Sequence, residues 1–188
     1  MESKRVSETT TRMAQMMTPN DANFLGKVFG GSILALIDLT ASATASKYAG
    51  NICVTASFDR VDFHEPIEIG ELVELEGFIS FVGRTSVEVT IDVYATNLLK
   101  NIRRHSNTAR VTMVALKDGK PTEVPRLICE TDAEKRLFLL GKIRRETRQY
   151  HLAEIKRVQA ALEEADSATL DNLLQSETAL SEFAKSAR

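Results

Sequence analysis

Cysteine is scarce in this chain. Cys53 and Cys129 are the only two and stand far apart, so neither a metal-ligand cluster nor a disulfide framework is available, and a reducing compartment is expected. No charge of one sign dominates. The 24 basic and 26 acidic side chains leave a formal net charge of −2, which excludes bulk electrostatic attraction to nucleic acid or anionic lipid. Long hydrophobic runs are also missing: the most apolar stretch, Val28 to Ile37, runs into Asp38 and falls well short of the ~20 residues that cross a bilayer. The opening segment MESKRVSETTTR has neither the apolar centre of a secretory signal nor the character of a transit peptide. These absences predict a cytoplasmic protein with no membrane, nucleic-acid or metal partner. What remains is ordinary globular balance, 43% hydrophobic and 27% charged over 188 residues, enough for one domain with an appendage.

Along the chain, residues 6–17 read as a first strand, and TPNDANFLG, residues 18–26, reads as a loop. From Gly30 the run GGSILALIDLTASATASKYAG puts small and apolar residues on all sides of a helix that Gly50 terminates. A helix apolar all round is expected to be buried. Period-two segments follow. Ile52, Val54, Ala56 and Phe58 share a face before the phase slips to Val61 and Phe63, which predicts a bulge near Asp59 and Arg60. Val73, Leu75, Ile79 and Phe81 alternate with Glu74, Glu76 and Ser80. Val87, Val89, Ile91, Val93 and Ala95 alternate with Glu88, Thr90, Asp92 and Tyr94. Ala109, Val111, Met113 and Ala115 close the set before a turn at Asp118-Gly119-Lys120. One apolar helix and four or five such strands pack most simply as an antiparallel sheet curled around the helix, an α+β fold. After Pro125 the composition turns to charged helix formers, with one or two amphipathic helices over residues 131–164 and a short one over 168–184. The domain division expected is residues 1–126 for the sheet and helix and 127–188 for a helical extension.

Asp38 is the sharpest feature, a carboxylate between Ile37 and Leu39 in the middle of the apolar helix. Removing a carboxylate from water is costly unless it is paired, hydrated or put to use, so it is a candidate general base or nucleophile. Ser42 lies one turn on and could hold a water for it. Gly30 and Gly31 start the helix, where missing side chains would let a substrate oxygen reach unpaired N–H groups. About 12 Å of helical rise separates Gly30 from Asp38, too far for both to act on one carbonyl. A site that uses both combines two subunits with antiparallel central helices. Asn23 in the preceding loop could orient a water or bond a thioester oxygen across that interface. His64 and Glu65 are neighbours on extended chain and point to opposite faces, which argues against an acid–base pair. The clusters Lys100, Arg103, Arg104, His105 and Lys142, Arg144, Arg145, Arg148, and the turn Arg84-Thr85-Ser86, carry donors suited to phosphates.

The segments NDANFLGKVFGGSILALIDLTASATA, VTASFDRVDFHEPIEIGE, VGRTSVEV and PRLICETDAEKRLFLLGK, in that order, resemble the hotdog-fold acyl-CoA thioesterases, in particular short bacterial members and cytosolic long-chain acyl-CoA hydrolases, over roughly residues 12–145. The resemblance implies a long central helix wrapped by an antiparallel sheet, dimers joined edge to edge, and a hexamer built as a trimer of dimers. It also implies hydrolysis of acyl-CoA without a cofactor, coenzyme A being part of the substrate. Asp38 takes the family's catalytic acid position, Asn23 the loop asparagine, and Gly31 or Gly30 the helix-start donor. Arg84, Thr85 and Ser86 inherit a place near coenzyme A. Many relatives have His where Phe29 stands. Residues 146–188 lie outside the similarity. Two other readings compete: an acyl-CoA sensor that binds without cutting, for which an acid beside the carbonyl has no use, and a hydroxyacyl-thioester dehydratase, which needs a His paired with an acid near the helix.

Overall fold

The computed structural model describes residues 3–59, 61–63 and 65–186. The elements run β1 (Lys4–Arg5), β2 (Thr11–Met16), α1 (Gly30–Ala49), β3 (Ile52–Phe58), β4 (Leu72–Val82), β5 (Ser86–Asn97), β6 (Ile102–Lys117), β7 (Lys120–Pro121), β8 (Leu127–Ile128), α2 (Asp132–Glu164), α3 (Ser167–Gln175) and α4 (Glu177–Ser186). The strand expected over residues 6–17 is narrower, because Val6–Glu8 form a 3-10 turn between β1 and β2. One antiparallel sheet, in the order β2-β4-β5-β6-β3 with β7 paired to β6, is flanked by a small parallel pairing of β1 with β8.

Helix α1 begins and ends where its glycines predict. Gly50 takes φ 66°, and its N–H donates to the Ser46 C=O, so the last turn closes on a left-handed residue that carries no Cβ strain. Ile33, Ile37, Ala41, Ala45 and Tyr48 point into the sheet and are buried against Val73, Leu75, Ile79, Val89, Ile91, Val93, Val111 and Met113. Gly77 on β4 is required by this packing: a Cβ there would lie 2.8 Å from Thr44 Oγ1 and 3.0 Å from Thr40 Cγ2. Tyr48 donates its hydroxyl to the Pro125 C=O at 2.9 Å, which ties the segment after β7 back to the helix.

Two expectations need correction. The helix is not buried all round, because Leu34, Ala35, Leu39 and Ala43 are exposed, Leu39 to 56%. The curled sheet stops at the edge strand β3 and leaves that stripe bare. In β3, too, the bulge lies earlier than Asp59 and Arg60, Arg60 itself being outside the described residues. Thr55 faces Met113 and Ser57 faces Thr112, so Ala56 is the extra residue. Cys53, Thr55 and Phe58 therefore share the inward face with Met113 and Val111, whereas Ile52 and Val54 point outward, with Ile52 74% exposed. The outward face of the sheet is also less uniformly polar in contact than its residues suggest. Ser80, Glu88 and Thr90 are buried and bonded together, Ser80 Oγ to Glu88 Oε1 at 2.8 Å and Thr90 Oγ1 to Ser80 Oγ at 2.9 Å, and Phe138 packs on Phe81 with ring centroids 5.0 Å apart.

The chain forms two compact units that divide after Gly141. The first holds the sheet, α1 and the start of α2, and Gly141 sits so close to Phe81 that a Cβ would come within 2.4 Å of the phenylalanine Cβ. The second, from Lys142, contains α3 and α4 where one short helix was expected over 168–184. Ser176, extended at φ −143°, breaks the run, and its Oγ accepts the Ala179 N–H.

Candidate active site

The loop before α1 is organised by Asn23. Its Oδ1 accepts the backbone N–H of Leu25 at 2.9 Å and of Lys27 at 3.1 Å, and its own N–H donates to the Lys27 C=O at 2.7 Å. With the oxygen doubly engaged, Nδ2 has no partner among the described residues and is free to donate elsewhere. The loop then delivers the chain to the helix through Val28, whose N–H donates to the Ile67 C=O at 2.9 Å, and Phe29, whose N–H donates to the Asp21 C=O at 2.7 Å. No side chain caps the helix start. Among the described residues the N–H groups of Gly30 and Gly31 have no acceptor, so the positive end of the helix dipole stands open. Asn23, Gly30, Ile33, Phe63 and Pro66 line one pocket of about 440 Å³. A Cβ on Gly30 would meet the Phe63 ring at 3.6 Å, and one on Gly31 would strike the Phe29 ring at 2.2 Å.

Asp38 is not in that pocket. It is half-buried on the side of α1 that faces β3, and Oδ1 accepts a hydrogen bond from Thr55 Oγ1 at 2.5 Å. The hydroxyl bonded to Asp38 is thus that of Thr55 on β3 rather than that of Ser42 on the helix, which the sequence favours as a small packing residue. Thr55 pairs with Met113 on the inward face, in the unbroken register that precedes the bulge at Ala56. The sequence signal was present as a hydroxyl residue alternating with Cys53 beneath the apolar Ile52 and Val54.

The Arg84-Thr85-Ser86 turn joins β4 to β5. Its backbone is fixed, with the Gly83 N–H on the Ser86 C=O at 2.7 Å, the Ala115 N–H on the Thr85 C=O at 3.0 Å and the Val124 N–H on the Arg84 C=O at 3.1 Å. The Arg84 side chain is exposed. In the sheet register this turn lies level with the start of β3 and the end of β6, at the C-terminal end of α1. The Asn23–Gly30 pocket lies at the other end of β4, about 35 Å of strand away. One subunit therefore assembles Asn23 with Gly30, and Asp38 with Thr55, and keeps the Asn23–Gly30 pocket apart from Arg84.

Three of the remaining basic and histidine candidates are already engaged on the sheet. Arg103 bonds Glu74 at 3.1 Å and stacks over Tyr94, and Arg104 pairs with Glu71. His105 contacts Thr108 Oγ1 at 2.9 Å on the outward face of the sheet, away from α1, so it does not supply the His–acid pair that a dehydratase needs near the helix. His64 lies outside the described residues. No group of three or more metal-ligating side chains occurs among the described residues, and no helix among them is long and apolar enough to cross a membrane.

A family model described as Thioesterase superfamily matches residues 25–102, the span that contains Gly30, Asp38 and Thr55. The uncharacterized acyl-CoA thioester hydrolase YkhA of Bacillus subtilis is 36% identical over 134 residues, which cover 71% of this chain and 78% of that one. The chain belongs to the acyl-CoA thioesterase family. Among solved structures, an apo-hexameric acyl-CoA thioesterase is 41% identical with a TM-score of 0.77, covering 81% of this chain and 99% of that one. An acyl-CoA hydrolase of Staphylococcus aureus, solved with butyryl coenzyme A and coenzyme A, is 34% identical with a TM-score of 0.76, covering 86% and 99%. The architecture is the hotdog fold of these thioesterases. The S. aureus enzyme has also been solved with alanine in place of one asparagine, one aspartate and one threonine, three positions spaced along that chain as Asn23, Asp38 and Thr55 are along this one.

Proposed function

We propose that this thioesterase hydrolyses acyl-CoA to a free acid and coenzyme A at a site shared by two subunits. The observation that carries the reading is the separation described above: the donors and the carboxylate sit on one helix, about 12 Å of rise apart, facing different neighbours. Two α1 helices side by side and antiparallel close that gap. The bare stripe of Leu34 and Leu39 and the inward but exposed Phe58 on β3 supply the apolar surface for such a contact, and β3, paired only with β6, offers the unpaired edge along which two sheets can join. The hexameric relatives support a trimer of these dimers.

In the shared site the N–H groups of Gly30 and Gly31 hold the carbonyl oxygen as it gains negative charge, and the helix dipole adds to them. Asn23 Nδ2 donates to the same oxygen or to the water. Asp38 of the other subunit, with Oδ1 held by Thr55, takes a proton from the attacking water or adds to the carbonyl through an anhydride. The C–S bond breaks, and the sulfur leaves as the thiolate of coenzyme A and is protonated. In the anhydride route water then cleaves the mixed anhydride to regenerate Asp38 and release the acid; attack at the Asp38 carbonyl carries labelled oxygen from water into that carboxylate, whereas the direct route places the label only in the released acid. The antiparallel arrangement also brings the Arg84–Ser86 turn of one subunit toward the pocket end of the other, where the Arg84 guanidinium and the Thr85 and Ser86 hydroxyls suit the phosphates of coenzyme A. Every group in this scheme lies within residues 1–126, which act as the catalytic domain, with 127–188 as an extension. The reaction calls on no cofactor and belongs in the cytoplasm with its water-soluble thioester.

The test is free-thiol release from a panel of acyl-CoAs by the wild type and by Asp38→Ala. Loss of about a hundredfold or more with the oligomer intact is expected. Undiminished release by the variant overturns the role of Asp38, and binding of acyl-CoA without thiol release by the wild type makes the protein a sensor.

A further inference from the structure

A single guanidinium outside the pocket holds the pocket's wall. Arg104 on β6 engages all three of its guanidinium nitrogens in one cluster. Nη1 and Nη2 bond Glu71 Oε1 and Oε2 at 2.6 and 2.7 Å, Nη2 also reaches the Pro66 C=O at 2.9 Å, and Nε lies 3.3 Å from Glu65 Oε2. Glu65 and Pro66 line the pocket with Asn23 and Gly30. Glu71 is only 3% exposed, and the Arg104 pair holds its carboxyl below the ordinary range despite that burial. A planar fork and a carboxylate in this register fix each other's orientation as well as their distance.

The cluster continues to the reacting end. Glu71 Oε2 also accepts the Glu68 N–H at 2.9 Å. The Glu68 carboxylate grips Lys27 Nζ at 2.6 and 2.7 Å, and the two backbones bridge at the same pair. Lys27 is the residue whose backbone N–H donates to Asn23 Oδ1 and whose C=O accepts the Asn23 N–H. Between them, the Ile67 C=O holds the Val28 N–H at the approach to the helix. An unbroken series of hydrogen bonds thus runs from Arg104 to both donor groups of the pocket, Asn23 and the start of α1.

We infer that Arg104 is a positioning residue for catalysis: through Glu71 and Glu68 it sets where the Asn23 amide and the Gly30 N–H meet the thioester carbonyl. The inference rests on the shared-site reading. These donors act most strongly on the charge that appears only in the transition state, whereas most of the binding of a large substrate comes from groups remote from the carbonyl. Loosening the series therefore lowers kcat and leaves KM nearly alone.

The decisive variant is Arg104→Lys, which keeps a cation beside buried Glu71 and so avoids stranding a carboxylate, but cannot make the forked pair and reach Pro66 together. With oligomer mass and melting behaviour close to wild type, kcat is expected to fall about tenfold, with KM within about twofold. Glu68→Gln, a partly exposed position that weakens the Lys27 link and leaves the Arg104 hydrogen bonds in place, is expected to lower kcat in the same direction, and it carries the test where the Arg104 protein is poorly folded. Unchanged kcat in both folded variants overturns the inference. So does a loss of activity that merely follows the fraction of folded protein, or a rise in KM with kcat preserved. Asp38→Ala is measured alongside: if it stays active, the hydrolytic site itself has been misassigned, which is a different failure from an inert Arg104.

Discussion

In the proposed site the bare backbone of Gly30 leaves the carbonyl oxygen a path to the helix-start N–H groups. A Cβ there points at the Phe63 ring across the pocket, 3.6 Å away, which is ordinary contact and leaves room for a methyl group. Because Ala suits a helix better than Gly by up to about 1 kcal/mol, Gly30→Ala is expected to be as stable as the wild type or slightly more so in thermal denaturation. The same methyl occupies the approach to the free N–H groups, so thiol release is expected to drop at least about tenfold. Equal activity would show that the carbonyl does not approach there. Asp38 was legible in the sequence because a carboxylate flanked by Ile37 and Leu39 contradicts its surroundings. Asn23 and the glycine pair stood out as well, through loop composition and helix-start chemistry, and the structure places Asn23 and Gly30 on one pocket. Thr55 did not stand out. Its contact with Asp38 depends on the side of the sheet it occupies, which the pairing of β3 with β6 decides and alternation alone does not.

Strand β3 shows the same limit at the scale of an element. Alternation tells which residues share a face and says nothing of which face is covered. Ile52 and Val54 therefore read as core, although Cys53 and Thr55 are the residues turned toward α1. Helix α1 was bounded correctly by Gly30 and Gly50 because glycine is the residue that closes a helix in the left-handed region. Its bare stripe could not be foreseen, since an apolar face covered by a second chain looks the same in sequence as one covered by its own. The segment joining Pro66 to β4 carries a prediction of its own. Glu71 has its carboxyl held below the ordinary value by the Arg104 hydrogen bonds. A depressed native value stabilises the fold above the unfolded carboxylate pKa of about 4.3, and that contribution is lost as the pH falls through the native value. Acid titration of thermal stability should therefore show a smaller loss below about pH 4 for Glu71→Gln than for the wild type. Parallel curves would remove Glu71 from the acid response.

At the scale of the whole molecule, the proposed site is divided: the Asn23–Gly30 pocket and the Asp38–Thr55 pair are separate on one chain, and an edge strand and an apolar helix stripe are where a second copy is expected to complete them. Residues 146–188 were outside any motif, and the structure supplies their helices and the break at Ser176 without giving them a part in the reaction. The most direct test of the account mixes two inactive proteins, Asn23→Ala and Asp38→Ala, after dissociation and reassembly. If each site takes its donors from one subunit and its carboxylate from the other, half of the randomly formed dimers hold one intact site of two, so thiol release should recover to about a quarter of the wild-type rate. Activity that stays at the level of the separate variants, in samples whose mixed dimers are verified by mass, would contradict a site built from two chains.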